Sequence, residues 1–362
     1  MAHQHDIAII GAGIAGASLA AALVADGARV LMLEAENLPG YHSTGRSAAF
    51  WTESYGGPGV QPLTTASGPF LAAGGYLRQR GALTIARRGQ EAELDRFAAR
   101  FAALGVTVQQ FDRDAIARLV PGLRAEWTVG AMEPSCSDID VARLHQDYLT
   151  NSARGGAELW CSARLASAEA HAGGWLLTLA DGRSASAAVL INAAGAWADE
   201  VAHLAGVTPL GIQPLRRTML QVRTAPAPLD NMPLVLDLGE AFYFKPEHGK
   251  LWLSPHDEVP TPPCDAAPEE LAVAEAIDRL EQVADWRVEQ VEHRWAGLRS
   301  FAPDRLPVYG FAPANPRFFW FAGQGGFGIQ TAPAAAALAA ALLTGTAPGA
   351  VDPAPFSPVR FG

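Results

Sequence analysis

The chain predicts an α/β protein of two interleaved domains. One is a set of parallel β-α units; the other is an α+β domain built on an antiparallel sheet. Three observations carry this. A β-α-β unit fills the first thirty-four residues, β-α elements return in the middle and at the end, and short strands punctuated by Pro and Gly occupy the stretch between Pro209 and Trp295.

Ile7–Ile10 is a short apolar run ending in a glycine cluster, which predicts a buried parallel strand. Ile14–Ala25 is rich in Ala and Leu and predicts a helix stopped by Gly27; Arg29–Glu34 is a second apolar strand. Pro39–Ala49 reads as a long loop. A strand is expected at Leu83–Ala86, helices at Ala92–Leu104, Asp114–Leu119 and Val141–Arg154, and strands near Leu159, Leu165 and Leu176. Ala188–Asn192 is a buried strand running into Ala193-Ala194-Gly195. Short strands follow around Met219, Val235, Phe242 and Leu251, with a helix at Glu269–Val283. Phe318–Phe321 enters a glycine-rich turn, Gly323 to Gly328, and an Ala-rich helix runs on to Leu343. This places residues 1–76, 138–208 and 296–362 in the first domain, and 77–137 and 209–295 in the second.

Bulk properties narrow the function. The 362 residues are 49% apolar and 18% charged, the balance of a globular chain large enough for two domains. The net charge is -10 and no Lys/Arg-rich run occurs, which argues against nucleic acid and anionic membranes as partners. Cys136, Cys161 and Cys264 follow no metal-ligand spacing, so no metal site is expected; sparse, odd thiols suit a reducing, cytoplasmic location. Ile7–Ala25 lacks charge and mimics a membrane or signal segment, yet Met1–Asp6 supplies no basic flank and glycines interrupt the run. No integral membrane segment is expected. A peripheral position at the inner membrane stays compatible with this.

Those glycines form the sequence Gly11-Ala12-Gly13-Ile14-Ala15-Gly16, a G-x-G-x-x-G between a strand and a helix. The first glycine permits the tight turn, the second lets backbone approach a pyrophosphate, and the third lets helix and strand pack closely. A helix N-terminus there directs N–H groups and its positive dipole end at phosphate. Glu34 closes the second strand where a carboxylate binds ribose hydroxyls, with Ala35 beside it; an acid at this point disfavours a 2′-phosphate. The fingerprint predicts a Rossmann-like dinucleotide domain.

Beyond the fingerprint the chain runs into Gly40-Tyr41-His42-Ser43-Thr44-Gly45-Arg46-Ser47-Ala48-Ala49 rather than further β-α repeats. The segments IIGAGIAGAS, PGYHSTGRSAA, INAAGAWAD, FYFKP, WAGLRSFAPD and GQGGFGIQT together resemble the D-amino-acid-oxidase-like flavoproteins, and most closely the bacterial FAD-dependent D-arginine dehydrogenases. The resemblance implies an FAD domain, a substrate domain on an antiparallel sheet, and a flavin between them. It also implies roles for matching positions. Ser43, Thr44, Arg46, Ser47, Ala48 and Ala49 would follow the flavin and its phosphates, and backbone near Arg164 would meet the adenine. Ala194, Gly195 and Trp197 would form the second nucleotide segment. Gly325, Gly326, Phe327, Gly328, Ile329 and Gln330 would face the flavin's pyrimidine edge. Ser47 stands where covalently flavinylated relatives carry His, so dissociable FAD is expected.

For the substrate, Arg299 and Arg217 resemble the arginines that grip its carboxylate, a task suited to two parallel N–H groups. Tyr243 resembles the tyrosine that hydrogen-bonds the carboxylate, and Tyr55 the mobile-loop tyrosine that closes over the substrate. Gln330 and Gly326 would line the pocket through backbone contacts. His42, His145, His203, His248 and His293 read as structural or surface residues. Two positions depart from the family pattern: Phe50 stands where near relatives carry a His, and Ala82 where arginine-specific relatives carry a Glu. The expectation is oxidation of a small amino acid, a neutral or apolar D-amino acid, with electrons passing to an unidentified acceptor. A 2-hydroxy acid dehydrogenase and a non-catalytic FAD-binding assembly factor are the alternatives.

Overall fold

In a computed structural model, which describes residues 4–362, the chain folds into mixed α/β structure around two large sheets. The first three residues of the expected N-terminal segment lie outside the described residues.

The first sheet has a parallel centre. Its strands run in the spatial order Glu158–Trp160, Val30–Leu33, His5–Ile10, Ser184–Asn192 and Asn315–Ala322. The antiparallel strands Leu165–His171, Gly174–Leu179 and Val308–Ala312 extend it. Helices cover it because its strands are apolar on both faces: Ile7, Ala8, Ile9, Val30, Leu31 and Met32 are all buried. Helix Ile14–Ala25 and the C-terminal helix Gly328–Thr344 pack one face, with Leu19, Leu23, Leu338 and Phe319 in a common core. His5–Ile10 lies between strands that lead off in opposite directions, so its carboxyl end is a topological switch point, where α/β sheets open a crevice.

The second sheet has ten strands and is almost wholly antiparallel. Its spine is the pair Gln213–Ala225 and Arg287–Phe301, joined along their full length. One pair is parallel: Leu234–Asp237 lies beside Ala82–Arg87, which brings two stretches of chain far apart in sequence into one sheet. Helix Glu270–Val283 buries Val273, Ala276 and Leu280 against it. A small third sheet joins Phe50–Trp51, Ser137–Ile139 and Leu77–Gln79.

The structure departs from the sequence expectations at particular points. The strand expected around Met219 is thirteen residues long. Arg287–Phe301, a fifteen-residue strand, had no expected counterpart and crosses the boundary placed at 295/296. Helix Gln61–Ala73 was also missed, because Pro62, Gly68 and Pro69 read as breakers. Pro62 sits in the first turn, where a missing N–H costs nothing. Gly68 lets the helix approach Trp51: a Cβ there would lie 2.8 Å from the indole, whose Nε1 donates to the Thr64 carbonyl.

Candidate active site

The glycine turn shows why its residues are small. Gly11 has φ +101°, and a Cβ on it would lie 2.6 Å from the Ala193 carbonyl; a Cβ on Gly16 would lie 1.9 Å from the Gly11 carbonyl. Gly16 thus packs the helix against the turn and does not line the cavity. Not every turn N–H is free. Ala12 donates to a Glu34 carboxylate oxygen at 2.9 Å, and Ile14 donates to the Thr44 hydroxyl at 2.9 Å. His145, on helix Val141–Arg154, donates from Nε2 to the Ala12 carbonyl, and burial holds its pKa below the ordinary value.

One cavity runs between the two large sheets. At one end stand Gly11, Gly13, Ile14, Ala15, Glu34, Ala35 and Arg164; along it lie Ser43, Thr44, Arg46, Ser47, Ala48, Ala194, Gly195 and Trp197. The far end is closed by Gly325, Gly326, Gly328, Ile329, Arg217, Met219, Tyr243 and Arg299. These residues span nearly the whole chain, yet they meet because each follows a strand end or lies on the inner face of the antiparallel pair. Ser300 and Phe301 pair with Gly325 and Gln324, which sets Arg299 beside the turn that opens the last helix.

Four further expected residues lie off this wall. Ala49 donates its N–H to the Ser47 hydroxyl and pairs with Ile139. Phe327 packs its ring on Tyr55 and Phe301. Gln330 is 3% exposed and does not reach the cavity: it accepts from the Thr52 N–H and donates to the Tyr55 carbonyl and the Thr64 hydroxyl. It holds the Thr52–Tyr55 turn. Tyr55 stands behind the front wall, its ring 5.7 Å from the Arg299 guanidinium carbon and 5.2 Å from Phe50.

Arg46 spends its guanidinium on the other sheet's side of the molecule. It pairs with Asp265 and donates to the Ala266 and Ala296 carbonyls, while its own carbonyl accepts from Trp295. Its aliphatic stem, rather than its charge, faces the cavity.

The charged end is uneven. Arg299 has no acidic partner within ion-pair distance among the described residues. Burial opposes its charge, but Tyr55, Tyr243 and Glu258 outweigh that cost and hold its pKa above the ordinary value. Arg217 is 4% exposed; its Nε donates to the Asp257 carbonyl and its Nη2 to Glu258, while Nη1 has no acceptor. Arg217 pairs with Gly297, so Arg217 and Arg299 are diagonal neighbours on one sheet face. Tyr243 donates to the Met219 sulfur at 3.0 Å. Phe50, Ala82, Met219 and Leu234 form an apolar cluster around it.

His256 is a site neighbour that sequence reasoning missed. Its backbone has φ +55° and its ring meets Tyr243 edge-on at 5.6 Å. Burial, then the charges of Arg217 and Arg299, push its pKa down to about 2. Nothing in the segment Ser254-Pro255-His256 marks it, because its surroundings come from strands distant in sequence. Among the described residues no cluster of His, Cys, Asp and Glu could hold a metal ion, and no helix is long and apolar enough to cross a membrane.

The residues fit a flavin dinucleotide. A glycine turn with no room for side chains, a carboxylate at the second strand's end and a helix N-terminus at the far end form one channel with a cationic, partly unpartnered terminus. The comparisons with known proteins agree. Glycine oxidase of Geobacillus kaustophilus is 27% identical over 387 residues, covering 99% of this chain and 98% of its own. The solved glycine oxidase from that organism superposes with a TM-score of 0.85 at 22% identity over 98% of both chains. L-proline dehydrogenase from P. horikoshii superposes at 0.84 with 19% identity, covering 96% of this chain and 95% of its own, a likeness of fold. The profile of the family described as FAD dependent oxidoreductase matches residues 6–342, and the chain belongs to that family.

Proposed function

We propose that this protein carries out oxidative deamination of a small amino acid bearing an apolar side chain, of D configuration, to the imino acid. The observation that carries the reading is the charged end of the cavity. The Arg299 guanidinium, partly buried and without an ion-pair partner among the described residues, stands beside the buried Arg217, whose Nη1 lacks an acceptor, so the pair makes a receptor for an anion. The α-carboxylate of an amino acid meets that need with two parallel acceptors.

FAD held by the glycine turn, Glu34 and the last helix would supply an acceptor for the substrate's hydride. The chain supplies position. Arg299 and Arg217 fix the carboxylate, and the Tyr243 ring bounds the pocket at their side. Met219 and the Tyr243 ring offer the side chain an apolar surface, with Phe50, Ala82 and Leu234 packed behind them. Burial there contributes roughly 25 cal/mol per Å². No carboxylate lines the substrate end of the cavity among the described residues, and the buried Glu133 behind it is filled by loop donors. With Phe50 at the histidine position and His256 held neutral, the amine proton leaves to solvent, so flavin reduction rises with pH. The resemblance of the six sequence segments supports the D configuration. Ser47, at the loop position where covalently flavinylated relatives carry His, supports dissociable FAD.

Anaerobic flavin bleaching with D-leucine, L-leucine, D-phenylalanine, D-arginine, glycine and D-lactate tests the reading. D-leucine or D-phenylalanine should give the highest kcat/KM. D-arginine in first place would remove the apolar pocket, D-lactate in first place would assign a hydroxy acid, and no bleaching at all would make the protein a flavin-binding non-enzyme. Heat or acid denaturation should leave the yellow cofactor in the supernatant; a yellow pellet would mean a covalent link.

A further inference from the structure

The turn that carries Tyr55 to the site is fastened from the opposite sheet. Glu133, at the end of strand Trp127–Glu133, is 3% exposed and 80 residues from the turn in sequence. Its Oε1 accepts from the Glu53 N–H at 2.7 Å and from the Ser135 hydroxyl at 3.3 Å. Its Oε2 accepts from the Ser54 N–H at 3.1 Å and the Ser54 hydroxyl at 2.6 Å. No Lys, Arg or His among the described residues forms an ion pair with it. A buried carboxylate without a counter-ion is expensive, and here four donors offset the cost, three of them from the two residues before Tyr55. Gln330 grips the same turn from the other side. Gly56 and Gly57 follow with φ of +98° and +78°, so the chain just beyond Tyr55 is free of the usual backbone restriction.

We propose that Glu133 is a positioning residue that holds the Glu53–Tyr55 turn against Arg299 and Phe50, behind the substrate end of the cavity, and so controls substrate capture rather than the hydride step. The proposal rests on the amino-acid reading above. It follows from the geometry that a carboxylate is required. Each oxygen accepts two donors, and the amide of Gln would aim N–H groups at N–H groups. The turn sets the Tyr55 ring against Phe50, Phe327 and Arg299. A loosened turn leaves the cofactor walls in place but withdraws the ring packed beside the Arg299 guanidinium, which weakens the grip on the substrate carboxylate.

Two variants, Glu133→Gln and Ser54→Ala, are made as holoenzymes. Hydrogen exchange at the Glu53 and Ser54 amides should be faster in Glu133→Gln, with exchange in helix Ile14–Ala25 unchanged. In anaerobic rapid mixing with D-leucine, the half-saturating concentration should rise about tenfold while the limiting rate of flavin reduction stays within about twofold. Ser54→Ala should give a smaller effect of the same kind, and the double variant should be no worse than Glu133→Gln alone, since both act through one contact. Unchanged exchange at the turn, or a loss confined to the limiting rate, overturns the proposal. Should Glu133→Gln not fold, Ser54→Ala decides it by the same readouts. If no amino acid reduces the wild-type flavin, the amino-acid reading fails, and the exchange experiment still decides whether Glu133 holds the turn.

Discussion

A Cβ built on Gly326 lies 2.9 Å from both the guanidinium carbon and Nη1 of Arg299. The turn that opens the last helix is flattened against the cation, and its glycine is what allows the contact. Gly326→Ala should displace the guanidinium, because the neighbour that must give is a side chain and not backbone. A shift of this size at a two-point clamp should raise KM for the carboxylate substrate about tenfold or more, with FAD still bound. Steady-state kinetics with the best amino acid check it; an unchanged KM would separate Arg299 from the carboxylate.

Arg299→Ala removes the clamp itself. Two charge-assisted hydrogen bonds are lost, so kcat/KM should fall about 10²- to 10³-fold. The flavin should remain, since the dinucleotide end of the cavity lies on the other sheet. Absorbance at the flavin band alongside kcat/KM gives both answers in one preparation.

Gly13→Val should abolish FAD binding. Even a single Cβ there would come to 3.1 Å of the Thr44 hydroxyl that caps Ile14, and the branched methyls would enter the cavity beyond it. The expected product is a colourless protein; a yellow one would mean that the phosphates lie elsewhere.

His256 gives the molecule a pH signature. In the folded state its imidazole stays neutral, because burial and the charges of Arg217, Arg299 and Arg305 oppose protonation, against a weaker pull from its hydrogen bond to Glu240. The unfolded chain takes up the proton below pH ~6.5, so stability should fall as pH drops from about 6.5 towards 2. His145, also held below its ordinary value by burial, adds in the same sense. His256→Asn, which tolerates the positive φ, should reduce the slope by at most about 1.4 kcal/mol per pH unit. Thermal melts between pH 7.5 and 4.5 (about the accessible range for such a chain) read the difference. An equal slope in both proteins would mean that His256 is charged or solvated.

The nucleotide half was legible because its signals are local. Gly13 and Gly27 bracket the first helix, and the structure ends it at Ala25, where the sequence reading did. Glu34 and Thr44 sit near the fingerprint in sequence as well as in space. The substrate half was less legible because its logic is cross-strand. Nothing in Arg287–Phe301 alternates cleanly: its first half lies near solvent and its second half is alternately buried, so the period-2 pattern appears only at the end. Gln330 was expected to line the pocket through its backbone; its side chain, in the first turn of the last helix, points instead to Thr52 and Thr64, a role no local pattern marks. Glu133 and His256 gave no signal, since an acid before Pro134 and a His after Pro255 acquire meaning only from residues far along the chain.

The cavity walls start at Ile10 and finish at Ile329, with the last helix supplying the end that faces Arg299. A nascent chain still lacking its final few dozen residues has the fingerprint, the ribose acid and the arginine loop, but no closing turn. Retention of the yellow cofactor therefore waits on synthesis past the turn at Gly325 to Ile329. Chains cut short by premature termination or clipping upstream of Gly325 should emerge as apoprotein, so bound colour reports that the closing turn has been made.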